Sequence, residues 1–329
     1  MRLKTIFRLV LRLLIGAVAL LVVLLALAGY FLYTPDPELP QLSGSLTVAT
    51  IMIDGRRRTF RIYVPKGLAR GAPLVLALHG SGEDGAAMRI ETGYAFERLA
   101  DQRGFAVAYP DGENGHWNSC EIDRDAPPPQ IDDVRFLTAL VDKLIGEIGT
   151  DRDRVYGVGL SEGGYMAIRL GLEAASRFRA VAPVAANLSA PENFQCKPGE
   201  KSGESVILIH GTRDPLVPFA GGQGSLFFGL IKNPAVLSSQ ATAQYFARLD
   251  GIVGPPLTSR SISTDGFAIE RSIWSDGLGP EVELVAIEGA GHVFPQPYYQ
   301  ARRILGSSPR NPNAAEVIWT FFEAQRLRH

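Results

Sequence analysis

The stretch "YGVGLSEGGYMAI", residues 156–168, sets Ser161 among Gly157, Gly159, Gly163 and Gly164. The apolar run Val155–Val158 before it reads as a strand. The run after it reads as a helix reaching about Arg177. Gly159 to Gly163 fits G-x-S-x-G, a pattern that carries meaning only between a strand and a helix, as here. Glycines in that position let the backbone turn sharply and let the helix pack close to the sheet. The expectation is a nucleophilic hydroxyl held above a sheet edge. The competing reading is a turn softened by glycine between two ordinary elements.

The flanking sequence sets the fold class. Leu46–Ile53 and Arg58–Val64 read as strands joined at Asp54-Gly55, a hairpin signal. Leu74–Leu78, Phe105–Tyr109, Ala180–Val184, Val206–Ile209 and Val282–Ile287 are short continuous apolar runs, the pattern of strands buried on both faces. Between them, helices are expected near Tyr94–Arg103, Asp132–Ile148 and Pro234–Asp250, with a closing helix at Ala314–Arg326. A second hairpin is expected with Asp265-Gly266 at its tip. Strands alternating with helices predict an α/β fold: a mostly parallel, doubly wound sheet with helices on both faces and an antiparallel start. In such sheets ligands bind beyond the C-terminal ends of the strands.

Four of those ends carry reactive side chains: His79 in "LHGSG", Ser161, Asp214 in "HGTRDPLVP" and His292 in "EGAGHVFP". A serine hydroxyl needs a base, and the chain order serine, acid, histidine selects His292. His79 and His210 each precede a glycine directly after a strand and read as turn-shaping residues. His116 lies in the loop "ENGHWNSC", and His329 is terminal. Asp214 is the expected orienting acid. Turn propensity accounts for Asp250, Asp265 and Asp276, and Glu288 is a weaker rival. An oxyanion requires two aimed backbone N–H groups. These are expected from Glu162, the residue after the nucleophile, and from Ser81 in "HGSGEDG". That segment lacks the lysine of a phosphate-binding loop. Trp117, with Phe227 and Phe228, is a candidate for a substrate pocket, packing being the other use of such aromatics.

"PLVLALHGSG", "LADQRGFAVAYPDG", "HWNSC", "DRVYGVGLSEGGYMAIRL", "ILIHGTRDPLVPF" and "IEGAGHVFP" occur in an order that resembles the polyhydroxybutyrate-depolymerase-like and feruloyl-esterase-like branch of the α/β-hydrolases. The resemblance runs from about Arg58 to Phe322. It implies a serine carboxylic-ester hydrolase with Ser161, Asp214 and His292 as its triad, needing no cofactor or metal. Three features depart from the family pattern. Glu162 stands where asparagine is common, "HVFP" where "HTWP" is common, and no cysteine lies near Gly251 or Gly277. A carboxylate at 162 is expected to disfavour anionic substrates. With no appended binding domain, soluble hydroxyalkanoate, feruloyl or related small esters are expected rather than a solid polymer. A peptidase on the same fold and a non-catalytic anchored binding protein are the alternative readings.

The N-terminus carries Arg2, Lys4, Arg8 and Arg12 ahead of 21 uncharged residues, Leu13 to Tyr33, and no acidic residue precedes Asp36. A helix of that length spans a hydrocarbon core of about 30 Å. Residues 1–34 are therefore expected to be a signal anchor, or a signal peptide cleaved near Ala26-Leu27-Ala28. Residues 35–45 would form a linker and 46–329 an extracytoplasmic catalytic domain. A net charge of −1 offers no basic field for nucleic acid. The two cysteines, Cys120 and Cys196, suit no metal site. In an oxidising compartment they are expected to pair, because the loops that carry them should emerge at the same sheet edge.

Overall fold

The computed structural model describes residues 2–121, 131–196, 204–226, 229–277 and 279–325. Phe227, Phe228 and His329 lie outside the described residues. The chain begins with helix α1 (Arg2–Leu32) and an antiparallel hairpin, β1 (Ser45–Ile53) and β2 (Arg56–Val64). There follow β3 (Leu74–Leu78), α2 (Gly85–Glu91), α3 (Ala95–Arg103), β4 (Ala106–Pro110), α4 (Asp133–Ile148), β5 (Val155–Leu160), α5 (Glu162–Glu173), β6 (Ala180–Val184) and β7 (Ser205–Gly211). A small ribbon, β8 (Gly222–Leu226) and β9 (Ile231–Val236), leads to α6 (Ser239–Leu249). The chain then forms β10 (Leu257–Ile262), β11 (Ala268–Trp274), β12 (Val282–Ile287) and α7 (Ala314–Gln325).

Ten strands form one sheet in the order β1-β2-β4-β3-β5-β6-β7-β12-β11-β10. The six from β4 to β12 are parallel, and antiparallel pairs close both ends. Side chains alternate across it. Leu74, Leu76 and Leu78 pack with α4, α5 and α6 on one face, while Val75 and Ala77 pack with α2, α3 and α7 on the other. A sheet buried on both sides explains why its central strands are apolar throughout. This is the architecture of an α/β-hydrolase. The helix expected to start at Pro234 starts instead at Ser239, whose preceding residue Ser238 caps the Ala241 amide at 3.1 Å. Pro234 sits in β9, opposite an irregularity in the ribbon register, where a missing N–H costs nothing. Helix α2 was not anticipated. Asp84 caps it, accepting the Ala86 and Ala87 amides at 2.9 Å each.

Within α1, Thr5–Leu32 contains an 18-residue window with a mean hydropathy of 2.9, none of it buried. It is long and apolar enough to cross a membrane. The segment after it lies against the domain. Ser43 donates its amide and hydroxyl to Asp101 at 2.7 Å each, and the Gly44 amide donates to Tyr63 Oη at 2.9 Å. Cys120 and Cys196 form a disulfide across a sequence separation of 76 residues.

Candidate active site

The C-terminal ends of β3, β5, β7 and β12 bring the expected residues together. Ser161 follows β5 and caps α5, with φ 56° and ψ −119°. A non-glycine residue rarely occupies such backbone, so the surroundings must hold it there. The Ser161 amide donates to Val184 O at 2.9 Å, and its carbonyl accepts from the Tyr165 amide at 3.1 Å. The neighbouring glycines act by close approach. A Cβ on Gly159 would overlap the Gly163 carbonyl, one on Gly163 the Leu78 carbonyl, and one on Gly164 the Ala186 side chain. Gly157 is different: a Cβ there meets only ordinary contacts, at 3.5 Å or more. Gly163→Ala is therefore expected to cost about 2 kcal/mol or more of stability, by forced backbone shift, and Gly157→Ala less than about 1 kcal/mol. Urea denaturation of the two variants checks the contrast.

The loops after β7 and β12 are locked together. The Thr212 amide donates to Ile287 O at 3.0 Å, the Arg213 amide to Ala290 O at 2.9 Å, and the Gly289 amide to Thr212 Oγ1 at 2.9 Å. This brings His292 Nδ1 to 2.8 Å from Asp214 Oδ2. The Oδ1 atom of Asp214 accepts the Leu216 and Val217 amides at 2.8 Å each. Burial alone would raise the Asp214 carboxyl. The charge of His292 and the hydrogen bonds from His210 and His292 outweigh it, and hold Asp214 well below the usual carboxylate range. An ionised Asp214 fixes the His292 proton on Nδ1 and leaves Nε2 as an acceptor.

His210 does more than shape a turn. Its Nε2 lies 2.9 Å from Val217 O and 3.2 Å from Asp214 Oδ2, and Nδ1 lies 2.9 Å from Ser239 Oγ. A carbonyl oxygen facing Nε2 requires the proton there, so His210 donates to Asp214 and accepts from Ser239. Sequence reasoning missed this second support. Its only trace was the spacing of four residues between a strand-end histidine and the acid. His79 keeps the structural role expected of it. Its Nε2 accepts the Gly112 amide at 2.8 Å and its Nδ1 donates to Gly80 O at 2.7 Å. Burial pushes its imidazole below the usual range.

Ser161 and His292 line one cavity of about 200 Å³ with Ser81, Leu160, Leu216 and Phe294. The Ser161 hydroxyl has no hydrogen bond to any described residue. Such bonds often tighten only around a bound substrate. In the loop after β3, the Gly80 amide donates to Glu83 Oε2 at 3.0 Å and the Gly82 amide to Gly115 O at 2.9 Å. The Ser81 amide between them has no partner among the described residues. The Glu162 carboxylate is buried rather than turned to the cavity. Its Oε1 accepts the Trp117 amide at 3.0 Å and its Oε2 lies 3.2 Å from His116 Nδ1, which also stands 3.3 Å from Ser81 Oγ. Glu162 therefore ties the start of α5 to the loop that carries His116 and Trp117.

Trp117 departs from its expected place in the pocket. It is fully buried, packs at a tilt against the His79 ring at 4.8 Å between ring centroids, and donates its indole N–H to His79 O at 2.9 Å. An indole buried with its N–H satisfied is a packing element. It supports the loop that carries Ser81.

Residues 58–190 match the family model described as esterase PHB depolymerase. The match includes Ser81 and Ser161 and ends before Asp214. The protein NocK of Nocardia uniformis subsp. tsuyamanensis, named as an esterase, is 30% identical over 310 residues, covering 88% of this chain and 86% of that one. A protein of Aspergillus flavus named as feruloyl esterase C is 24% identical, covering 81% and 84% of the two chains. Among solved structures, acetyl xylan esterase from Aspergillus awamori superposes with a TM-score of 0.54 at 20% identity, covering 76% of this chain and 94% of that one, which speaks to the fold. With a serine elbow, a histidine–carboxylate pair and a relative aligned along most of its length, the chain belongs to the esterase PHB depolymerase family and is a carboxylic ester hydrolase of the α/β-hydrolase fold.

Proposed function

We propose that this hydrolase cleaves soluble hydroxyalkanoate, feruloyl or related small esters with Ser161 as nucleophile, His292 as base and Asp214 as orienting acid. The observation that carries this reading is the 2.8 Å contact of His292 Nδ1 with Asp214 Oδ2, with His292 and Ser161 facing one cavity. Ser161 Oγ attacks the ester carbonyl while His292 Nε2 takes its proton. The tetrahedral oxyanion is held by the Ser81 and Glu162 amides, and collapse expels the alcohol, protonated by His292. Water then repeats the sequence on the acyl-enzyme and returns free Ser161. A cavity of about 200 Å³ walled by Leu160, Leu216 and Phe294 suits a small acyl group. Because Glu162 is engaged with Trp117 and His116, its carboxylate presents little charge to the substrate.

The test is a panel of feruloyl, acetyl and 3-hydroxybutyryl esters, with the Ser161→Ala protein as blank. Turnover of small soluble members above that blank supports the assignment, and turnover of none of them contradicts it. Residues 1–34 are proposed to export the domain and to anchor it, resting on the apolar span Thr5–Leu32 and the basic residues before it. Recovery in the membrane fraction, with residues after Thr34 open to external protease, is the expected result. A free mature form starting near Gly29 would contradict the anchor.

A further inference from the structure

Two carboxyl groups in the cavity wall are not used by the chemistry above. Glu83 lies in the loop after β3, and Glu91 is the last residue of α2. Glu83 Oε2 holds the Gly80 amide at 3.0 Å. Gly80 packs directly on the elbow: a Cβ there would lie 3.1 Å from Glu83 Oε2 and 3.7 Å from Ser161 Cβ. With the Gly82 amide fixed to Gly115 O at 2.9 Å, the Ser81 amide, without a partner among the described residues, is pinned on both sides. Its aim therefore depends on Glu83.

Glu83 and Glu91 line the same wall of the cavity, with their carboxyls close enough to share a hydrogen bond. Two carboxyls can share a hydrogen bond only if one of them carries a proton. Burial and the Glu83 charge push the Glu91 carboxyl well above the usual carboxylate range, and the Arg302 guanidinium pulls weakly the other way. Tyr299 and His292 line the same cavity wall as the pair, and burial, with the Glu91 charge, pushes the Tyr299 phenol upward.

We propose that Glu83 and Glu91 form a positioning pair for the oxyanion donor, Glu83 anchoring the Gly80 amide and Glu91 holding Glu83 in place through its proton. The proposal rests on the reading of Ser161 as nucleophile and the Ser81 amide as donor. Once Glu91 ionises, the two carboxylates repel, Gly80 is released and the Ser81 amide loses its aim. The oxyanion exists only in the transition state, so the loss falls on kcat and not on KM.

The experiment uses the full-length protein and p-nitrophenyl acetate, with Ser161→Ala as the blank for spontaneous hydrolysis. Glu83→Ala is expected to lower kcat about 10- to 100-fold with KM within about twofold, below the roughly 10²–10³ of a donor lost outright. In Glu91→Gln the carboxamide donates to Glu83 at every pH. The native enzyme should therefore show a fall in kcat as pH rises and Glu91 ionises, approaching about tenfold per pH unit, that Glu91→Gln lacks. Superimposable kcat profiles for native and Glu91→Gln proteins, or a folded Glu83→Ala protein with native kcat, overturn the proposal. Should Glu83→Ala not fold, the Glu91→Gln profile decides alone. An active Ser161→Ala protein would overturn the nucleophile reading and this proposal with it. An inactive one with superimposable profiles overturns this proposal alone.

Discussion

Ser161→Ala and His292→Ala are each expected to lower kcat on a small activated ester about 10⁶-fold, and the double variant to lose little more. The near-equality follows from the mechanism. Without Oγ there is no group to acylate, and without the His292 imidazole Oγ stays protonated, so either loss stops the same step. Both variants should fold. The Ser161 backbone is held by Val184 O and the Tyr165 amide, which a methyl side chain leaves in place. His292 is held through its own amide, which donates to Leu305 O at 2.7 Å. Single-turnover kinetics, with circular dichroism as the folding control, make the comparison. A folded His292→Ala protein losing under about tenfold would remove His292 from the role of base.

Asp214→Asn is expected to lower kcat up to about 10⁴-fold while leaving KM close to native. The surroundings of Asp214 set this magnitude. Oδ1 accepts two backbone amides, so an asparagine must place its oxygen there and its NH₂ toward His292 and His210. Those contacts then oppose donor to donor. His292 is driven to carry its proton on Nε2, the atom that has to accept from Ser161. His210 faces the same conflict but can keep its bond to Val217 O. His210→Ala should therefore cost less than Asp214→Asn, acting through the placement of Asp214. Steady-state kinetics across the three variants test this order, and equal losses for His210→Ala and Asp214→Asn would contradict it.

Much of this site was legible because its signals are local. The strand, the glycine turn and the helix around Ser161 are continuous over residues 155–173, and the apolar runs before Asp214 and His292 mark strand ends. The pairing of Asp214 with His292 followed from chain order on this fold, and the loop-to-loop bonds that join those ends carry no sequence signal. What escaped depends on partners distant in sequence. Glu83 and Glu91 look like surface acids beside a turn until Gly80 and Ser161 are set against them. Glu162 was read as a charge near the substrate, whereas it reaches across 46 positions of sequence to His116. Trp117 carries no sign of its direction, and only the His79 carbonyl and ring above it turn it inward. The β8–β9 ribbon was hidden by its glycines and by Pro234, which weaken any strand signal and are tolerated because the ribbon has two strands and no interior.

The central claim is that Ser161, half-buried on its elbow and served by His292, is the nucleophile. Labelling the full-length protein with a fluorophosphonate and mapping the adduct by peptide mass spectrometry tests it most directly. The account predicts one adduct, on Ser161, absent from Ser161→Ala and formed far more slowly in His292→Ala. An adduct on any other residue, or an unmodified Ser161 in protein whose esterase activity the probe has abolished, would contradict it.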